Sequence, residues 1–98
     1  MDFNKDKVSF KIIECNNIFN RFRGFMFKQD IINYGLLFKK CNSIHTFFMY
    51  QHLDIIITDI NHNIIYLKEN LAPNRIILPK KNGYYTYELP VGSIRKLI

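Results

Sequence analysis

The stretch His45-Thr46-Phe47-Phe48-Met49-Tyr50-Gln51-His52-Leu53-Asp54-Ile55-Ile56-Ile57 decides how this chain folds. It is the densest apolar run in the sequence. Leu53 to Thr58 reads as a strand, with Leu53, Ile55 and Ile57 on one face and Asp54, Ile56 and Thr58 on the other. Ile44 to Tyr50 reads as a preceding strand, joined to it through Gln51 and His52 by a tight turn or bulge. An acid inside such a run is either a buried, partnered group or part of a site, because an unpaired buried carboxylate is costly. Asp54 is therefore expected to bond to one of the available cations, Arg21, Arg23, Arg75 and His45, or to backbone N–H groups.

Outward from this centre, Asp59-Ile60-Asn61-His62-Asn63 carries turn chemistry and Ile64 to Lys68 returns as a hairpin partner. Asn70 to Arg75 is a loop, and Ile76-Ile77-Leu78 is a short strand that Pro79 ends. Lys80-Lys81-Asn82-Gly83 has the Asn-Gly signal of a tight hairpin turn. Tyr84 to Leu89 alternates with Tyr85, Tyr87 and Leu89 on one face, and Ser93 is placed to cap a last helix over Ile94 to Ile98.

Toward the N-terminus, Val8 to Ile12 alternates as a half-buried strand. Asn16 and Asn17 offer caps for a short helix carrying Ile18, Phe19 and Phe22, which Gly24 closes in a left-handed conformation. Phe25 to Lys28 reads as core. Tyr34 to Phe38 is a strand whose Gly35 marks a bulge or a close backbone approach. The fold class this predicts is α+β: a mostly antiparallel curled sheet or small barrel with one or two short helices, in a single domain over residues 1–98.

Composition narrows the function classes. A hydrophobic fraction of 48% and an aromatic fraction of 15% fit a globular chain. No uncharged run approaches the roughly 18 residues of a membrane span. The polar N-terminal segment lacks the apolar region of a signal peptide, so a cytoplasmic protein is expected. Cys15 and Cys41 form no metal or redox spacing and are expected as free thiols. The net charge of +6 invites a nucleic-acid reading. The excess is mostly lysine, scattered, and accompanied by Ile, Asn, Phe and Tyr, a pattern that A/T-rich codons produce without selection for phosphate.

Five segments resemble one known family. Arg21-Phe22-Arg23-Gly24-Phe25-Met26-Phe27-Lys28 is similar to its Arg-x-x-Gly-Leu-Met-x-Arg. Gly35-Leu36-Leu37-Phe38 resembles its Gly-Met-Leu-Phe, and His45-Thr46-Phe47-Phe48-Met49 followed by Leu53-Asp54 resembles its His-Thr-Phe-Phe-Met and Ile-Asp. Pro73-Asn74-Arg75 is similar to Pro-Trp-Arg, and Glu88-Leu89-Pro90-Val91-Gly92 to Glu-Leu-Pro-Ala-Gly. The family is domain of unknown function 192, of bacteria and archaea. The segments keep its order over roughly residues 8 to 93. Lys28 replaces an Arg, which puts a point charge where a planar fork stood; His52 replaces a Pro and Asn74 a Trp. The resemblance implies a compact α+β domain and no established activity.

The residues with chemistry to offer are Arg21, His45, Asp54, Arg75 and Glu88, with Arg23 beside them; all but Arg23 fall on the family's motifs. They are expected to form a polar centre, lined by Phe25, Met26, Phe47 and Met49, that is either a structural ion-pair network or a ligand pocket. The leading reading is a non-enzymatic module for an unidentified small ligand or protein. It carries no catalytic residue, cofactor or metal, no specific nucleic acid and no membrane span, and the oligomeric state is left open. The first alternative is a small hydrolase-like enzyme using His45 and Asp54 as acid and base. The second is a weak nucleic-acid binder through Lys39, Lys40, Lys80 and Lys81. His45, His52 and His62 have no metal-ligand spacing, and no glycine-rich phosphate loop exists.

Overall fold

Leu53–Thr58 is buried along its whole length and stands inside a five-stranded sheet. The computed structural model describes residues 2–17, 21 and 23–97. A single 3-10 turn at Lys5–Lys7 comes first. The strands are β1 (Ile12–Glu14), β2 (Gly35–Lys39), β3 (Ile44–His45), β4 (Leu53–Thr58), β5 (Ile64–Leu71), β6 (Ile76–Ile77) and β7 (Tyr85–Pro90), followed by helix α1 (Ser93–Leu97). The main sheet runs β1-β2-β7-β4-β5, and β3 pairs with β6 in a separate two-stranded sheet.

The period-2 reading of β4 holds. Leu53, Ile55 and Ile57 enter one apolar cluster with Phe25, Leu36, Met49 and Ile77, while Ile56 enters another with Phe3, Leu37, Tyr87, Leu89 and Ile94. The sheet is thus covered on both faces, which is why β4 tolerates apolar residues at nearly every position. Tyr85, Tyr87 and Leu89 share the second face as expected.

The α+β class fits, but the sheet is open and mixed, with no barrel. β1 runs parallel to β2, and all other pairings are antiparallel. A parallel pair needs a long crossover, and the segment between β1 and β2 supplies one. The alternation over Val8 to Ile12 turns out to report burial more than pairing. Val8, Phe10 and Ile12 pack on the second cluster, but the ladder begins only at Ile12. The helix expected over Ile18, Phe19 and Phe22 lies on residues outside those described. The backbone is helical at Arg21 and Arg23, and Gly24 follows with φ +49°, the left-handed turn expected of it.

The strand expected over Ile44 to Tyr50 stops at His45. Thr46 ends it: its hydroxyl accepts from the Arg75 N–H at 2.8 Å and donates to the Ala72 carbonyl at 2.8 Å. Phe48 then adopts φ 63°, a conformation that costs a bulky residue free energy, and accepts a backbone bond from Phe27 at 3.0 Å. The Lys80–Gly83 turn forms, with the Gly83 N–H on the Lys80 carbonyl at 2.9 Å. It is not a hairpin, however, because it joins β6 and β7, which belong to different sheets. Gly35 marks a close approach: a Cβ there would stand 2.7 Å from Leu89 Cδ2. Among the described residues, no helix is long and apolar enough to cross a membrane.

Candidate functional site

Sheet register divides the expected polar centre in two. Asp54 pairs with Leu89, whereas Glu88 pairs with Ile55 and with Leu36. Directly opposed residues point the same way and neighbours point opposite ways, so Asp54 and Glu88 project from opposite faces.

Asp54 is fully buried and holds backbone, not arginine. Its Oδ2 accepts from the Ile94 N–H at 2.8 Å and its Oδ1 from the Asn70 N–H at 2.9 Å. The register slip in β5 between the partners of Leu53 and Ile55, with Asn70 at φ 56°, accompanies that second bond. The Ile94 N–H belongs to the first turn of α1, so a strand carboxylate caps this helix. The Ser93 hydroxyl, expected to cap it, instead donates to the Pro90 carbonyl. Arg75 lies exposed, its guanidinium on the Asn74 carbonyl at 3.3 Å. Neither Asp54 nor Arg75 reaches the other polar residues. The His45–Asp54 acid–base pair is therefore not assembled.

What does assemble is a cavity of about 90 Å³ on the Glu88 face. Arg21, His45 and Glu88 line it with Phe25, Met26 and Met49, as expected, and with Arg23. Phe47 does not line it; it lies partly exposed against the His45 ring, with centroids 5.2 Å apart. Gly24, Phe38, Cys41, Ser43, Ile44 and Thr86 complete the wall. Thr86 was within reach of sequence reasoning, since it shares a strand face with Glu88. Phe38 and Cys41 were not, because β2 had first to be placed beside β7.

Glu88 is the chemical centre of this cavity. It is only 5% exposed, and among the described residues its Oε1 has no hydrogen-bond partner. Among the described residues no cation pairs with it within 4.0 Å; the ion pairs there are Lys28–Asp30, Lys39–Glu14 and Arg95–Glu69. Loss of solvent pushes its carboxyl up to about 8, against a smaller opposing effect from the Phe25 N–H bonded to it. At neutral pH the group is thus mostly a neutral acid with a proton to donate. Gly24 gives it room: a Cβ at that position would meet Oε1 at 3.1 Å. Arg21 is anchored at the rim by Nη1 donating to the Lys39 carbonyl at 2.8 Å.

Cys15 and Cys41 are both free, and burial raises the Cys15 thiol to about 11. The Cys41 thiol donates to the Ser43 carbonyl at 3.1 Å. Among the described residues, no three of His, Cys, Asp and Glu are grouped to hold a metal ion. The segments that carry the two lysine pairs meet where the Lys80 N–H bonds the Asn42 carbonyl at 2.9 Å. Their charge is partly engaged: Lys39 pairs with Glu14 at 3.0 Å, and Lys80 lies 4.3 Å from the centre of the Tyr66 ring.

The model of the family described as DUF192, uncharacterized ACR, matches residues 2–98. The UPF0127 protein of Thermococcus sibiricus is 39% identical over 86 residues, covering 82% of this chain and 54% of the relative. The UPF0127 protein of Thermococcus kodakarensis is 34% identical, covering 89% and 58%. The chain thus spans little more than half the length of these two archaeal relatives. Among solved structures, a Novosphingobium aromaticivorans protein of unknown function has a TM-score of 0.76 at 16% identity, covering 90% of this chain and 68% of that one. A Sinorhizobium meliloti protein, described as a candidate transcription regulator, has a TM-score of 0.74 at 21% identity, covering 88% and 72%. At these identities the likeness is one of fold.

Proposed function

This chain belongs to the family of domain of unknown function 192, and from that premise we propose that residues 1–98 act as one non-enzymatic binding domain whose site is the Glu88 cavity. The observation that supports this reading is the buried Glu88 Oε1, left without a partner among the described residues in a lined cavity. A buried polar group without a hydrogen bond costs roughly 1–3 kcal/mol. A group with only a structural role has no reason to bear that cost, whereas a ligand atom there removes it. The site residues are Arg21, Arg23, His45 and Glu88, with Phe25, Met26 and Met49 as the apolar wall. Asp54 and Arg75 have structural roles.

Size limits the ligand. Pockets for drug-sized molecules run from roughly 300 to 1,000 Å³, and this one is about 90 Å³. It suits a group of a few heavy atoms and is too small for a nucleotide or a flavin. A thermal-shift panel spanning small polar metabolites, nucleotides and metal ions tests this. Stabilisation by small molecules alone supports the reading. Stabilisation by nucleotides alone, or by nothing in the panel, contradicts it.

A further inference from the structure

We infer that the Glu88 cavity takes a small organic carboxylate, held as its anion by a hydrogen bond from the Glu88 acid and drawn in by Arg21 and Arg23; this rests on the cavity being the ligand site. Charge balance makes the argument. Arg21 and Arg23 line the cavity, and the Glu88 acid between the walls is buried with no cation bonded to it among the described residues. A carboxyl group in that situation retains its proton, because burial removes the water that would stabilise its charge and no cation is bonded to it in exchange. The cavity therefore presents a net positive field and one free proton donor.

Each alternative ligand class meets a physical obstacle. A small ammonium ion would enter a cavity walled by two arginines and would need Glu88 ionised. A phosphate dianion would need several converging donors, as a glycine-rich loop or a long helix N-terminus provides. A carboxylate needs one short, charge-assisted bond from an acid and the long-range attraction of arginine. Its alkyl end suits the wall of Phe25, Met26 and Met49. A volume of about 90 Å³ restricts the molecule to a few carbons.

The binding should depend on pH through Glu88, whose carboxyl is raised to about 8. The other titratable or charged groups on the cavity wall are Arg21, Arg23, His45 and Cys41, with the Cys15 thiol also coupled to Glu88. The arginines stay charged throughout.

The test uses the intact chain with its three methionines labelled as [13C-methyl]Met. Met26 and Met49 report on the cavity. Acetate, acetamide and methylammonium are titrated separately at pH 6.5 and pH 9.5. The expected result is saturable shifts of Met26 and Met49 with acetate at pH 6.5, at least tenfold weaker at pH 9.5. Glu88→Gln keeps a donor that does not ionise, so it should bind acetate and lose most of the pH dependence. Replacing Arg21 and Arg23 together by Gln should weaken acetate at least fivefold. If methylammonium or acetamide binds as well as acetate, the carboxylate inference is overturned and the cavity remains the site. If none of the three moves Met26 or Met49, the inference and the binding reading both fall.

Discussion

Replacing Asp54 by Ala should destabilise the fold by about 3–5 kcal/mol. The carboxylate accepts from two backbone N–H groups, on Ile94 at 2.8 Å and on Asn70 at 2.9 Å. A hydrogen bond to a charged group contributes roughly 1.5–3 kcal/mol. The Ile94 bond is fully buried, so its N–H would be left unpaired; the Asn70 bond is only part-buried, so water can replace some of it. The loss should therefore lie near the upper end of the range for Ile94 and near the lower end for Asn70. Asp54→Asn keeps one acceptor but turns an NH₂ toward the other donor, so it should cost less than Ala and more than about 1 kcal/mol. Urea melts of the three proteins supply the measurement. Asp54→Ala within about 0.5 kcal/mol of the unmodified chain would show that the carboxylate does not hold α1 to the sheet.

Three further outcomes are expected. The mass of the chain without reductant should be that of two free thiols, and a thiol reagent should modify Cys41 well before Cys15, whose thiol burial raises to about 11; a mass two protons light, or Cys15 reacting first, contradicts this. Gly35→Ala forces a Cβ to 2.7 Å from the flexible end of Leu89 and should destabilise by roughly 1–3 kcal/mol in a urea melt; no measurable change would show that the approach relaxes freely. Binding to mixed RNA or DNA should be weak and lost at physiological salt, because Lys39 is already paired and Lys80 already stacked; tight, sequence-selective binding at high salt refutes that.

The sequence made individual strands legible but not their neighbours. The alternation of Leu53, Ile55 and Ile57 against Asp54, Ile56 and Thr58 is local information, and it predicts both cores. The same alternation over Val8 to Ile12 reads burial without saying that a ladder starts only at Ile12. The run from Thr46 to Tyr50 looks like strand because its residues favour strands. The Thr46 hydroxyl, bonded to the loop at Ala72 and Arg75, ends the strand, and that loop is distant in sequence. The polar centre was divided, with Asp54 and Arg75 apart from Arg21, His45 and Glu88, for the same reason. Whether Asp54 and Glu88 share a face depends on the register of β4 against β7, and a shift of one residue reverses the answer. The need of Asp54 for partners was legible. Its choice of Ile94 and Asn70 over arginine required the β5 bulge and the placement of α1.

That Glu88 is a buried, neutral acid with an open oxygen is tested directly by a ¹³C titration of its side-chain carboxyl carbon. The predicted midpoint is about 8, well above the usual carboxylate range. The sign for stability follows from linkage. A carboxyl whose folded-state pKa is raised leaves the protein most stable below the unfolded value near 4.5, and stability falls as pH rises from there to about 8. Over that window the loss is on the order of 5 kcal/mol, and Glu88→Gln should abolish it. A midpoint near 4.5, with urea stability flat between pH 5 and 8, would mean that Glu88 is solvated or paired and that the cavity is not built around a free acid.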